Sequence, residues 1–200
     1  YDHKPPGIFL LAALAGSIFW FKVILLISHL VTVGLFWKLS GILFEKNTSR
    51  VLLASGIFAL LTTLPLLEGN ITNGEILMIG PVVGALVIVL GAPQITPQRL
   101  LLAGALFSIA AFIKPPALLD AAALLMFWII TALWKWNDIA KTIVHSFVLG
   151  VGILIPILVV SLYFFSNGTL SDFLAASFLQ NVSYISAWSV PTLSSTDGAI

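Results

Sequence analysis

The chain has 200 residues, 60% of them hydrophobic and only 8% charged, with a mean hydropathy of +1.11. A water-soluble domain carries about 25% charged residues, so this composition excludes a surface that faces water on all sides. The net charge of +1 excludes the basic field that nucleic acid would need, and the lack of cysteine excludes disulfides and thiolate metal sites.

Apolar runs of about 20 residues separated by polar breaks point to membrane helices rather than to a barrel. The first eight residues, Tyr1-Asp2-His3-Lys4-Pro5-Pro6-Gly7-Ile8, set three ionisable side chains before two prolines, which makes a rigid lead-in to a helix. Gly7 to Trp20 is apolar but spans only about 21 Å as a helix, short of the roughly 30 Å hydrocarbon layer. It is expected to lie in the interface, with Lys22 marking the break before a full span over 23–43. Further spans are expected over 51–67, 76–91, 100–113, 117–134 and 142–165, with short helical pieces such as 170–180 beyond them. The predicted fold is therefore all-α: a polytopic helical bundle of about six spans with an interfacial helix at its N-terminus. Residues 1–200 read as one piece of a single transmembrane domain, and as an internal piece of a longer protein. Residues 1–22 end an outer loop and form the interfacial helix, 23–165 carry the spans, and 166–200 begin another outer loop.

Loop cations set the orientation. Lys38, Lys46, Arg50, Arg99, Lys135 and Lys141 fall on one side, and Lys4, Lys22 and Lys114 on the other. The richer side is expected to be cytoplasmic. Most acids then gather on the outer face: Asp2, Glu68, Glu75, Asp120, Asp172 and Asp197. The expected location is a plasma or inner membrane, crossed several times, with the active face non-cytoplasmic. Trp20, Trp37, Trp134 and Trp136 read as interfacial belt residues. His29 and His145 are lone histidines within spans, read as helix–helix contacts rather than ligands.

Several candidate residues have a plain reading beside a chemical one. Charges held at the mouth of a membrane segment are expensive unless something uses them. Lys4 and Lys114 either snorkel to headgroups or hold a phosphate. Glu75 opens a span beside Asn73, where the helix dipole favours an acid by roughly 0.3–1 kcal/mol; the alternative is contact with sugar hydroxyls or an acceptor. Asn181 and Tyr184, in the last outer segment, are further candidates for such contact.

The order of features resembles the GT-C glycosyltransferases of the dolichyl-phosphate-mannose–protein mannosyltransferase superfamily, including the bacterial enzymes that add aminoarabinose to lipid A. The likeness rests on Asp2-His3-Lys4-Pro5-Pro6, on Asn73-Gly74-Glu75-Ile76, on Ala110-Ala111-Phe112-Ile113-Lys114-Pro115-Pro116, and on Phe173 with Asn181-Val182-Ser183-Tyr184. The resemblance implies a partial GT-C fold and an outward-facing site. There a sugar leaves a polyprenyl-phosphate donor, with inversion, for an acceptor lipid, glycan or protein. It implies that Lys4, with Lys114, holds the donor phosphate, and that Asp2, Asn73, Glu75, Asn181 and Tyr184 bind substrate. A divalent metal ion at His3 is an option it carries; the alternative is that Asp2 and His3 orient Lys4 or are solvated. The family's catalytic acid would lie upstream of Tyr1, so this piece alone would be inactive. A transporter or flippase for lipid-linked sugars is the rival. It too needs cations at the membrane rim, but it places ionisable groups near mid-span.

Overall fold

Helix ends in this chain are set by a few polar residues, glycines and prolines placed between apolar runs. The structure is a computed structural model that describes residues 5–64, 74–135 and 139–179. Eight α-helices are described: α1 (Pro6–Ala15), α2 (Ile18–Leu43), α3 (Thr48–Thr63), α4 (Gly74–Leu90), α5 (Pro97–Ile113), α6 (Ala117–Lys135), α7 (Ile139–Ser166) and α8 (Leu170–Leu174). A π-helical turn, Ala175–Leu179, follows α8. No strand occurs among the described residues, as the composition predicts.

Ser17, Asn47 and Thr96 stand before α2, α3 and α5 in extended conformation. Their side chains accept hydrogen bonds from the backbone N–H groups of Trp20 (3.3 Å), Arg50 (3.2 Å) and Arg99 (3.5 Å). Each cap satisfies a donor that the first turn leaves without a partner. These caps start α2, α3 and α5 ahead of the apolar runs expected from hydropathy; α7 likewise covers Ile139–Ser166 rather than 142–165, while α3 ends at Thr63 rather than at 67.

One boundary needs correction. The break between the first two helices falls at Gly16-Ser17, not at Lys22, because Gly16 ends α1 in the left-handed region (φ 65°) and Ser17 caps α2. Only glycine takes that conformation without strain. Lys22 therefore lies inside α2, and the interfacial candidate shrinks to the ten residues of α1.

Among the described residues, three helices are long and apolar enough to cross a membrane: α2, α6 over Ala117–Trp134, and α7. The protein is thus a helical membrane protein. α3, α4 and α5 are apolar but have only 16, 17 and 17 residues, roughly 25 Å each.

Contacts fix the direction of each helix. His29 of α2 meets Thr62 of α3, and Phe36 stacks on Phe58 (ring centroids 4.0 Å apart), so α3 runs back along α2. Gly80 and Gly84 of α4, and Gly91 just after it, lie against Thr32, Leu35 and Ile42, so α4 runs parallel to α2. α5 returns, with Leu106 opposite Gly84 and Ile113 opposite Gly74. The ends of α4 and α5 that carry Glu75 and Lys114 therefore lie at the same end of the bundle as α1. That end is called the upper end below.

The core sits around α5. Leu100, Ala103, Phe107 and Ala110 are buried with Val89 of α4, Ala121 of α6 and Leu149 of α7. α5 and α7 touch backbone to backbone. A Cβ on Gly104 would stand 2.7 Å from the Ile153 nitrogen, and one on Gly152 would stand 2.5 Å from the Leu101 carbonyl oxygen. Small residues at such crossings are the membrane substitute for hydrophobic collapse, because lipid is as apolar as leucine.

Candidate functional site

The site is built by two sequence devices, a double proline and a glycine-led helix start. Pro115 forces the residue before it out of the helical region. Lys114 accordingly ends α5 in extended conformation (φ −151°, ψ 118°), while its N–H still reaches the Ala110 carbonyl at 2.8 Å. The chain turns at once into α6: Ala117 donates to the Lys114 carbonyl (3.1 Å) and Leu118 to that of Pro115 (3.0 Å). The ammonium is thus held at a rigid corner between two helices.

Glu75 lies in the first turn of α4 and forms an ion pair with Lys114 through Oε1 and Nζ. The start of α4 packs against the same corner: a Cβ on Gly74 would be in van der Waals contact with the Ile113 carbonyl oxygen (3.4 Å) and with Lys114 Cβ (3.8 Å). The pair is partly open to solvent, with Glu75 51% and Lys114 36% exposed. A pair that open contributes at most about 1 kcal/mol to stability. Each charge also suits its helix end, the acid at an N-terminus and the cation at a C-terminus.

The third element is the start of α1. Pro5 is buried, Pro6 occupies the first helical position, and Gly7 sits against the backbone of Phe112 and Ile113. A Cβ at residue 7 would fall 2.7 Å from the Phe112 carbonyl carbon, so only glycine allows this approach. Beneath the junction, Leu11 of α1, Phe21 and Leu25 of α2, Ile76 and Leu77 of α4 and Ile113 of α5 form one apolar cluster. Three elements spread over more than a hundred residues of sequence therefore meet at one point of the upper end.

Of the residues singled out from sequence, Glu75 and Lys114 are brought together. Asp2, His3, Lys4, Asn73, Asn181 and Tyr184 lie outside the described residues, as does Glu68. Asp120 is on the first turn of α6, beyond the Lys-Pro-Pro corner. No three His, Asp or Glu side chains gather among the described residues where they could hold a metal ion, and a metal at His3 remains an expectation of the resemblance alone. His29 and His145 both pack between helices: His29 Nε2 lies 3.5 Å from Thr62 Oγ1, and His145 is tilted against Trp128 with ring centroids 6.0 Å apart. Sequence reading missed Gly7 and Gly74. Their signal was position, each lying directly beside a polar candidate at a helix start.

No family model, curated protein or solved structure matches the chain.

Proposed function

We propose that the chain forms the membrane part of a GT-C-type glycosyltransferase, with six spans, α1 in the interface, and the upper end as its non-cytoplasmic working face. One observation carries this reading. The Pro5-Pro6-Gly7 lead-in, the Gly74-Glu75 helix start and the Lys114-Pro115-Pro116 corner meet at one place. These are three of the four elements on which the resemblance rests.

The chemistry follows from the charges. An acceptor hydroxyl attacks the anomeric carbon of a polyprenyl-phosphate sugar. The bond from that carbon to the phosphate oxygen breaks, the configuration inverts, and polyprenyl phosphate leaves carrying one more negative charge. A fixed ammonium beside the departing oxygen lowers the barrier because it interacts more strongly with the product-like charge than with the ground state. Lys114 takes this role together with Lys4, one residue before the buried Pro5. Glu75 shares the Lys114 ammonium at rest and accepts hydrogen bonds from sugar hydroxyls when phosphate competes for it. The acceptor proton goes to an acid upstream of Tyr1. Among the described residues, His29 in the middle of α2 packs against Thr62 of α3, and His145 near the start of α7 stands against Trp128 and lines a pocket beside the α4–α5 loop, at the lower end rather than at mid-bundle. A transporter would need such groups open to a central cavity.

The test is transfer of a labelled sugar from a polyprenyl-phosphate donor by the full protein in liposomes. Lys4→Ala and Lys114→Ala are expected to lower the rate by about 100-fold or more, with insertion intact. Full activity in both variants would overturn the phosphate role. Movement of the lipid-linked sugar across the bilayer with no transfer would favour the transporter.

A further inference from the structure

Away from the upper end, α2, α4 and α5 leave a cavity of about 430 Å³ between them. Its walls are Val31 and Leu35 of α2, Gly84 and Val87 of α4 and Leu106 of α5, and Lys38 stands at one end. Val31 and Lys38 are exposed, so the cavity is a groove open to the outside of the bundle. From Ser28 to Lys38 it follows α2 for ten residues, about 15 Å. The polar atoms at its far end are already engaged: Thr32 Oγ1 donates to the Ser28 carbonyl at 2.7 Å.

The groove has the layout of a lipid. Lys38 lies near the lower end of α2, next to Trp37, which is 47% exposed. An exposed tryptophan beside a lysine at a helix end marks the headgroup level. From that level an apolar slot runs towards the middle of the bilayer. The slot narrows towards Gly80, where α4 closes on Thr32 (a Cβ on Gly80 would fall 2.6 Å from Thr32 Oγ1), and it passes Gly84, whose missing side chain leaves Leu35 and Leu106 as the walls. Lys38 makes no ion pair or hydrogen bond with any described residue. At this end Lys46 of the following turn and Arg50 of α3 add to its charge and outnumber the one acid nearby in sequence, Glu45, so the field at the mouth is positive. A zwitterionic headgroup brings its own cation to that point; an anionic one brings net negative charge. Basic pockets between membrane helices select the latter.

We propose that the α2–α4–α5 groove holds one anionic phospholipid, with its phosphate on Lys38 and an acyl chain along Val31, Leu35 and Gly84. The site is at the opposite end of the bundle from the Glu75–Lys114 pair. It requires only that α2 lies in the membrane, and it is independent of the transferase reading.

The experiment is native mass spectrometry of the full protein in mild detergent, titrated with phosphatidylglycerol, with phosphatidylcholine, and with inorganic phosphate as competitor. One phosphatidylglycerol is expected to be retained in preference to phosphatidylcholine. Lys38→Gln should weaken that retention about fivefold, the effect of one cation at a charged surface. Val31→Trp, which fills the exposed wall of the slot, should abolish it, while Lys46→Gln should not. Both Lys38 and Val31 are exposed, and Lys38→Gln alters no packed contact, so its result stands even if Val31→Trp fails to fold. Equal retention of the two lipids, insensitivity to Lys38→Gln, or displacement by inorganic phosphate would each overturn the proposal.

Discussion

Replacing Gly152 by alanine adds a single methyl group where α7 crosses α5. That carbon would stand 2.5 Å from the Leu101 carbonyl oxygen and 2.9 Å from Leu101 Cα. Both are backbone atoms of a packed helix, so no side-chain rotation relieves the overlap, and the two helices must separate. Overpacking of this kind costs typically about 1–3 kcal/mol. The upper part of that range is expected, because the crossing also seats Leu100 and Leu149, both buried. Gly150 provides an internal control. It lies on the same helix two residues away, and a Cβ there meets nothing within 4 Å. Gly150→Ala should be neutral or stabilising by up to about 1 kcal/mol through helix propensity. The assay is thermal unfolding of each variant in the same detergent, followed by loss of the monodisperse peak. Gly152→Ala should unfold at a lower temperature than the parent, and Gly150→Ala at the same temperature or higher. If the two variants shifted alike, the close α5–α7 crossing would be wrong.

Three further outcomes follow. Gly80→Ala should destabilise, since the new Cβ would lie 2.6 Å from Thr32 Oγ1; Thr32→Ala should rescue part of the loss, and a double-mutant cycle in the same melt should give a coupling of roughly 0.5–3 kcal/mol. Gly7→Ala should detach α1 from Phe112 and Ile113, exposing α1 to added protease while leaving α5–α7 resistant. Removing the caps in Ser17→Ala and Asn47→Ala should each cost about 1 kcal/mol, read as a lowered melting temperature without loss of membrane insertion.

The helical order of this protein is open to sequence reading because hydropathy dominates it. Each expected apolar run overlaps a described helix, although α3 stops at Thr63 short of the expected 67, and the Lys-Pro-Pro corner falls where two prolines must break α5. Boundaries were less legible, because hydropathy does not register caps. Ser17 and Asn47 lie inside or beside apolar runs, yet one hydrogen bond from each decides where a helix begins. Lys22 looked like a break because it is charged, but a lysine can bury its stem in a helix and keep its head at the surface; Gly16, with its left-handed backbone, is what ends α1. Glu75 and Lys114 were expected to share one outer site, but not to be in direct contact. The close approach of α1 to this junction depends on Gly7, and a residue without a side chain carries no hydropathy signal of what it lets come near. The groove beside Lys38 was equally silent, since it lies between three helices that hydropathy reads one at a time.

The reading turns on where a donor phosphate sits. A polyprenyl phosphate carrying a photoreactive diazirine beside its phosphate, crosslinked to the full protein in liposomes and mapped by peptide mass spectrometry, addresses this directly. Adducts are predicted on the upper-end peptides that contain Lys4 to Gly7, Gly74-Glu75 and Lys114, and Lys114→Ala should reduce them. Adducts confined to the opposite end of the bundle, around Lys38 or the α4–α5 loop, would contradict the account.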